Sequence, residues 1–135
     1  MMDWGFWALV VVLGGVAVWW LASQPKSLIV PPSLSGHVRH VVDGDSLYLD
    51  GHKAQIRLWG VDAPELGQRG FDQATGYLSM IAKGRRITCQ QIDRDQYGRT
   101  VARCFLEDGR ELNRMMIESG TAKEYRRFSK GFYSG

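Results

Sequence analysis

Hydrophobic and polar residues alternate over several short stretches between residues 37 and 106, which is the pattern of half-buried β-strands. Turn residues separate these stretches, namely Asp43-Gly44-Asp45, Asp50-Gly51 and Tyr97-Gly98. The pattern predicts five strands at 37–42, 46–49, 54–59, 86–92 and 100–106, and the last two are expected to form an antiparallel hairpin.

Two stretches have helical periodicity instead. Between Gln68 and Lys83, apolar residues recur at helical spacing, and Gly84 is a typical C-terminal stop. A shorter helix is predicted from Leu112 to Ser119, followed by Gly120. The fold class is therefore β-rich (α+β), with about two helices packed on the strands.

The first 23 residues differ in composition from the rest of the chain. The run Trp4–Leu21 carries no charge, and a helix of that length approaches the roughly 30 Å hydrocarbon core of a bilayer. Trp4, Trp7, Trp19 and Trp20 bracket the run, as aromatic residues do at membrane interfaces. A cleaved signal peptide is the alternative, but no Lys or Arg precedes the run, and the sequence after it is a poor cleavage site. We predict a retained transmembrane anchor at 1–23.

A proline-rich linker is predicted at 24–35, because Pro25, Pro31 and Pro32 favour extended backbone. The folded domain is then expected at 36–135. The formal charge of the chain is +3, which is compatible with a polyanionic partner but does not require one. Lys26 is the only basic residue close to the anchor, and it weakly favours a cytoplasmic domain.

Acidic residues cluster at two predicted strand ends. Asp43 and Asp45 occupy one turn, and Asp62 and Glu65 follow the third strand. Carboxylate oxygens that meet at one rim suit a hard cation such as Ca²⁺. Arg57, on the strand between them, suits bidentate binding of phosphate. The alternative is two ordinary Asp-rich turns and a solvated or ion-paired arginine.

A further motif, Asp95-Gln96-Tyr97-Gly98-Arg99, completes a recognisable set. Asp-Gly-Asp, Ile-Arg-Leu, Val-Asp-x-Pro-Glu and Asp-x-Tyr-Gly-Arg, in this order, resemble the staphylococcal-type nuclease (thermonuclease) family. The resemblance extends from Gly36 to Phe128. It implies an OB-type five-stranded barrel carrying helices, and Ca²⁺-dependent cleavage of DNA and RNA.

The resemblance also implies a role for each site residue. Asp45 and Asp62 would be the carboxylate ligands of Ca²⁺, together with the backbone carbonyl of Ala63, where the best-known members have Thr. Asp43 would orient these ligands. Glu65 would act as general base on the attacking water or orient it. Arg57 and Arg99 would bind the scissile phosphate from two sides.

The C-terminal stretch interleaves aromatic and basic residues. Tyr125, Arg126 and Phe128, with Tyr97 from the earlier turn, are candidate contacts for nucleic acid, although both C-terminal aromatics could instead complete the core. Family members continue with another helix beyond this point, so we expect a truncated form or a fragment.

His37 and His40 are expected to be rim residues rather than metal ligands, because no further His or Cys completes a ligand set.

The two cysteines lie one on each strand of the predicted hairpin. If the turn centres between Gln96 and Tyr97, Cys89 and Cys104 face each other at a separation that a disulfide can bridge. The alternative is a pair of buried thiols. A disulfide would require an oxidising compartment.

The sequence therefore predicts a membrane-anchored, Ca²⁺-dependent nuclease acting on DNA or RNA, with no obligate protein partner and with its domain outside the cytoplasm. Extracellular Ca²⁺ sites are typically weak, and such a site fills only outside the cytoplasm. The alternatives are a non-catalytic nucleic-acid-binding module on the same fold and a protein-interaction domain.

Overall fold

A computed structural model describes residues 31–135 of this chain. The predicted anchor at 1–23 and residues 24–30 of the predicted linker lie outside the described residues. Within residues 31–135, no helix is long and apolar enough to cross a membrane. The first strand begins at Ser33, three residues before the predicted start of the domain at Gly36.

Five strands close into a barrel, as predicted. Its strands are β1 (Ser33–Asp43), β2 (Ser46–Leu49), β3 (Ile56–Leu58), β5 (Arg86–Arg94) and β6 (Thr100–Leu106), and a separate short strand, β4 (Val61–Asp62), follows β3. Around the barrel the order is β1-β2-β3-β6-β5, with β5 pairing back onto β1. All neighbours are antiparallel except β3 and β6, which are parallel.

Residues along the barrel strands alternate between buried and exposed, as the alternation of apolar and polar residues in the sequence predicts. In β6, every second residue from Thr100 to Leu106 is buried, while the residues between them are partly exposed. The inward-facing side chains fill the barrel with Leu, Ile and Val, and the largest fully buried ones include Leu47, Leu49, Ile56, Leu58 and Ile87. Burial of such side chains is the main source of stability in a small domain.

Helix α1 (Phe71–Ala82) covers one end of the barrel and is shorter than the predicted 68–83. It begins later because the chain first makes a tight turn, in which the Gln68 amide donates to the Glu65 carbonyl at 2.9 Å. Gly70 then has a φ of 90°. Buried Ala74, Leu78, Ile81 and Ala82 form the inner face of the helix, as the periodicity predicts.

Helix α2 (Leu112–Glu118) ends within a residue of its predicted boundary. Its fully buried Asn113 accepts a hydrogen bond from the Cys104 amide at 3.0 Å. The same side chain donates to the carbonyls of Trp59, at 2.9 Å, and Ala102, at 3.1 Å. This amide therefore joins α2 to β6 and to the chain that leaves β3.

Three short elements, β4, β7 and α3, were not predicted. Strand β7 (Lys123–Glu124) pairs with β4 to form a ribbon of two residues on each side, and helix α3 (Arg126–Ser129) follows it. Glu124 fixes the chain beyond α3, because its carboxylate accepts hydrogen bonds from the Ser129 hydroxyl and the Tyr133 amide. The Tyr133 hydroxyl in turn donates to buried Glu111 at 2.9 Å.

In the hairpin of β5 and β6, Cys89 lies directly opposite Cys104 as expected, and their sulfurs form a disulfide inside the barrel. The turn itself is centred on Tyr97 and not between Gln96 and Tyr97, because Arg94 pairs with Thr100. A bulge between Gln91 and Asp93 shifts the register by one residue and so brings the cysteines opposite each other.

Candidate active site

Gly44 allows the two acidic turns to come together. A Cβ atom built on Gly44 would lie 2.7 Å from the Cβ atoms of both Ala63 and Ala74, which is closer than packed carbon atoms approach. Gly44 is not among the positive-φ glycines of the described residues, so a left-handed backbone is not the reason for a glycine in this turn. Gly44 is required because it lets the β1–β2 turn pack against α1 and the chain after β4.

Asp45 is the most enclosed of the predicted site carboxylates. Its Oδ2 accepts a hydrogen bond from the Ala63 amide at 3.0 Å, and its Oδ1 accepts one from the Ser46 hydroxyl at 3.2 Å. Burial raises the pKa of Asp45 from 3.8 to about 6, although the positive charge of Arg57 opposes the shift. An ionised carboxylate here lacks full compensation within the protein, and a bound cation would supply it.

Asp43 supports the backbone of Asp45. One Asp43 carboxylate oxygen accepts a hydrogen bond from the Asp45 amide at 3.0 Å. This is the local Asx-turn bond that Asp favours. The contact is consistent with the predicted role of Asp43 in orienting a ligand residue, and that role stays a prediction.

Arg57 lies on β3, opposite Ser46 of β2. Its guanidinium faces the Asp45 carboxylate, with Nη2 to Oδ2 at 3.3 Å, and Nη1 donates to the Leu58 carbonyl at 2.8 Å. The side chains of both members of the ion pair are mostly buried, at 17% and 10% exposed. The ion pair considered as an alternative for Arg57 is therefore present in this structure.

Asp62 is exposed at the end of the β4–β7 ribbon, and Glu65 is exposed in the turn that follows. The amide of Glu65 donates to the Gln68 side chain at 2.8 Å, which fixes the turn that carries its carboxylate. Among residues 31–135, no three His, Cys, Asp or Glu side chains are grouped closely enough to hold a metal ion. The structure thus brings Asp43, Asp45, Arg57 and Ala63 together and leaves Asp62 and Glu65 outside a closed ligand cluster.

Arg99 is held by the turn in which it lies. Its Nε donates to Asp95 Oδ2 at 2.6 Å, and its amide donates to Asp95 Oδ1 at 2.9 Å. The guanidinium also lies over the Tyr97 ring, 5.4 Å from the centroid. Burial raises the pKa of Asp95, but the hydrogen bonds from Arg99 and Tyr97 outweigh it and hold this pKa below its ordinary value. Arg99 is thus ion-paired with the aspartate of its own turn and not with the carboxylates near Arg57.

Both arginines line one groove, which we call the Arg99 groove. Its volume is about 560 Å³, and its walls include Arg57, Arg99, Tyr97, Tyr125 and Phe128. Tyr97 is 75% exposed and Phe128 is 56% exposed, while Tyr125 packs edge-on against Phe128 with centroids 4.9 Å apart. The groove combines two guanidinium groups with exposed aromatic faces, which suits phosphates joined to unpaired bases.

Comparison with known proteins agrees with this geometry. Residues 55–133 match the family model described as "Staphylococcal nuclease homologue". The chain belongs to the staphylococcal nuclease family. The resemblance stated from the four motifs is therefore confirmed, and the matched region contains Arg57, Asp62, Glu65 and Arg99.

The relatives that the chain resembles carry different names. The chain is 37% identical over 105 residues to "Succinoglycan biosynthesis protein ExoI" of Rhizobium meliloti (strain 1021), covering 70% of this chain and 54% of that protein. It is 33% identical over 98 residues to an "Uncharacterized endonuclease" of Escherichia coli O157:H7, covering 71% and 64%. It is 27% identical over 105 residues to a "Micrococcal nuclease" of Shigella flexneri, covering 70% and 60%. The matches thus span between about half and two thirds of these relatives.

One predicted nucleic-acid contact of this family member lies outside the Arg99 groove. Arg126 is not among the residues that line the Arg99 groove, and its Nε lies 3.9 Å from Glu124 Oε1. His37 and His40 are exposed on β1, as expected for rim residues, and the His40 ring stacks on Tyr48 with centroids 6.4 Å apart.

Sequence reasoning also missed residues that the nuclease-family fold brings to the site. Trp59 and Ile92 line the Arg99 groove, although the sequence pattern assigns both to strands. A large aromatic directly after Ile-Arg-Leu could have indicated Trp59. Buried Asn113 could have been found as the one polar residue on the apolar face of α2.

Proposed function

We propose that this chain is a nuclease that hydrolyses phosphodiester bonds of DNA or RNA with Ca²⁺ as its cofactor. The observation that carries the proposal is the position of Arg57, which contacts Asp45 and also lines the Arg99 groove with Arg99. One side chain thus links a buried acidic site to a groove suited to a nucleic-acid strand.

The donor set suits a hard cation. Asp45, Asp62 and the carbonyl of Ala63 would hold Ca²⁺ through oxygen atoms, with waters completing its coordination. When bound, the ion would neutralise charge on a non-bridging phosphate oxygen. It would also offset the cost of an ionised Asp45 in its buried position.

The remaining chemistry belongs to the side chains. Glu65, exposed three residues after Asp62, would accept a proton as the water oxygen attacks phosphorus; the bond to the leaving oxygen then breaks, and that oxygen takes up a proton from solvent. Since Glu has a low ordinary pKa, its position supplies most of the effect. Arg57 and Arg99 would exchange their carboxylate partners for phosphate oxygens, on which negative charge increases in the transition state.

The aromatic residues would hold the strand. Exposed Tyr97 and Phe128 offer ring faces to unpaired bases, and such stacking tolerates any base. We therefore propose a substrate with single-stranded or frayed regions and with little sequence preference.

A non-catalytic nucleic-acid-binding module is the second candidate. It is favoured by one observation, since the Arg99 groove is complete while Asp62 and Glu65 do not close a ligand cluster with Asp45 in the described residues. The two candidates differ in turnover. The deciding experiment measures release of acid-soluble nucleotides from single-stranded DNA by the full chain, with Ca²⁺ and with EDTA. Release with Ca²⁺ and none with EDTA supports the nuclease, whereas binding without release supports the module.

We also propose that Trp4–Leu21 anchors the protein in a membrane, with the domain on the extracytoplasmic side. The uncharged run and its flanking tryptophans support the anchor. The disulfide between Cys89 and Cys104 and the expected weakness of a site with few carboxylates both favour an oxidising, Ca²⁺-rich compartment.

A further inference from the structure

A second groove opens beyond the β4–β7 ribbon. Its volume is about 790 Å³, and it shares no lining residue with the Arg99 groove. The walls come from Asp62 and Ala63, from the turn and first residues of α1, and from residues 119–123. We call it the Arg69 groove, because Arg69 and Lys123 supply its positive charge.

The ribbon fixes how close the two grooves are. At one end, the Tyr125 amide donates to the Gly60 carbonyl at 2.7 Å, and both residues line the Arg99 groove. At the other end, Asp62 pairs with Lys123, and both line the Arg69 groove. Only the pair of Val61 and Glu124 lies between, so the two ends are about 7 Å apart along the strands.

The candidate cation site lies at this junction. Asp62 and Ala63 belong to the wall of the Arg69 groove, while Ala63 donates to Asp45, the partner of Arg57 in the Arg99 groove. If a phosphate of a nucleic acid were held near these residues, the nucleic-acid strand would continue on both sides of it. One side would lead into the Arg99 groove and the other into the Arg69 groove.

The charges of the Arg69 groove are available to a ligand. Arg69 and Lys123 are both exposed, and within residues 31–135 neither forms an ion pair. The groove's lining contains one carboxylate, Asp62, and the amides of Gln68 and Gln73. Two free cations next to amide groups suit a phosphate backbone with polar base edges.

We propose that the Arg69 groove binds the nucleotides on the far side of the scissile phosphate from the Arg99 groove. This inference rests on the proposed nuclease function and adds that a single strand crosses the β4–β7 ribbon. A strand held on both sides of the scissile phosphate reaches the site without a free end, which gives a structural reason for internal cleavage.

The test compares two double variants of the full chain that lose the same charge. The test variant is Arg69→Gln with Lys123→Gln, and the control is Lys83→Gln with Arg86→Gln. Lys83 directly follows α1, whose 12 residues extend about 18 Å from the turn that carries Arg69. Both control residues are exposed.

The first measurement is binding of labelled oligodeoxythymidylate in EDTA, as a function of salt. For a long oligonucleotide, the test variant should lower the slope of log K against log salt by about 1.4, since each single-strand phosphate contact contributes about 0.7. For a dinucleotide, the test variant should have the same slope of log K against log salt as the wild type. The control should keep the wild-type slope with both ligands.

The second measurement is cleavage with Ca²⁺. The wild type should linearise circular single-stranded DNA, and the test variant should raise KM for a long strand while leaving kcat unchanged.

The charge-retaining variant Arg69→Lys with Lys123→Arg should restore the wild-type salt slope. Equal salt slopes in the test and control variants would contradict the proposal that the Arg69 groove binds the strand, as would cleavage only from strand ends. If the wild type cleaves nothing with any divalent ion, the nuclease proposal fails, and the salt slopes still decide whether the groove binds the strand.

Discussion

The guanidinium of Arg57, in the middle of β3, and the carboxylate of Asp45, in the β1–β2 turn, face each other with 3.3 Å between Nη2 and Oδ2. This contact neutralises two largely buried groups when no substrate is bound. It also means that a cation at Asp45 and a phosphate at Arg57 would separate the same pair. Binding of one ligand should therefore favour binding of the other.

The first prediction concerns stability and pH in the absence of metal. Burial raises the pKa of Asp45 from 3.8 to about 6, so the folded state binds more protons than the unfolded state between these values. The free energy of unfolding should then fall as pH rises from about 4 to about 6, by about 3 kcal/mol, and stay lower above that range. Urea unfolding in EDTA measures this fall.

The matched variants make that measurement specific. Asp45→Asn should flatten the profile, because it removes the titrating group, whereas Asp93→Asn at an exposed position should keep the wild-type shape. A profile for Asp45→Asn that falls as steeply as that of the wild type would assign the effect to other groups.

The second prediction concerns Ca²⁺ and is read from stability alone. At pH 7, Ca²⁺ should raise the melting temperature of the wild type, with a stabilisation that grows as the logarithm of the ratio of its concentration to Kd, and EDTA should reverse the change. Asp45→Asn and Asp62→Asn should each abolish most of the Ca²⁺ effect, while Asp72→Asn should retain it. An unchanged Ca²⁺ response in both site variants would exclude these residues as ligands.

The third prediction concerns catalysis. Glu65→Gln should lower kcat by roughly 10²–10⁴-fold if Glu65 accepts the proton, with the unfolding midpoint unchanged because the side chain is exposed. Glu107→Gln, another exposed glutamate, serves as the control. Full activity of Glu65→Gln would remove Glu65 from the reaction.

The fourth prediction concerns Arg99. Arg99→Lys should be severely impaired in cleavage, because an ammonium group cannot reproduce a planar, bidentate contact with phosphate. The same change should leave the Tyr97 turn in place, since Asp95 still accepts the backbone amides of Tyr97 and Arg99. Near-normal kcat in this variant would contradict the assigned role.

The fifth prediction concerns the disulfide and the compartment. Non-reducing mass spectrometry of protein made in an oxidising compartment should find a peptide linking Cys89 to Cys104. Reduction should lower the free energy of unfolding by about 3 kcal/mol for a separation of 15 residues, and it should not affect a Cys89→Ala, Cys104→Ala variant.

The proposed compartment is tested separately. Protease added to intact spheroplasts should digest the domain while cytoplasmic markers survive. Protection of the domain until lysis would reverse the proposed topology.

The barrel could be predicted from the sequence because its strands are long enough to alternate visibly. Thr100–Leu106 shows the pattern over a whole strand, whereas the bulge that brings the cysteines opposite each other leaves no visible trace in the sequence. The acidic turns and both arginines were also found, because charged residues beside strand ends stand out against apolar runs.

The remaining features depend on tertiary packing and leave little trace in the sequence. Strands β4 and β7 have two residues each, which is too short for a period to show. Gly44 was correctly assigned to a turn but for a different reason, since its lack of a side chain matters and not its φ. The partners of Arg57 and Arg99 are set by distances of a few ångströms, which spacing along the chain does not encode.

The parallel pairing of β3 with β6 determines when the groove can exist during folding. Arg57 lies opposite Val101, so the strand that carries it and the turn that carries Arg99 meet only through this non-local contact. Pairings between distant segments form slowly, because the chain between them must first be brought together. A nascent or partly folded chain therefore lacks the assembled Arg99 groove, and the nuclease we propose would be inert toward the cell's own RNA until the barrel closes.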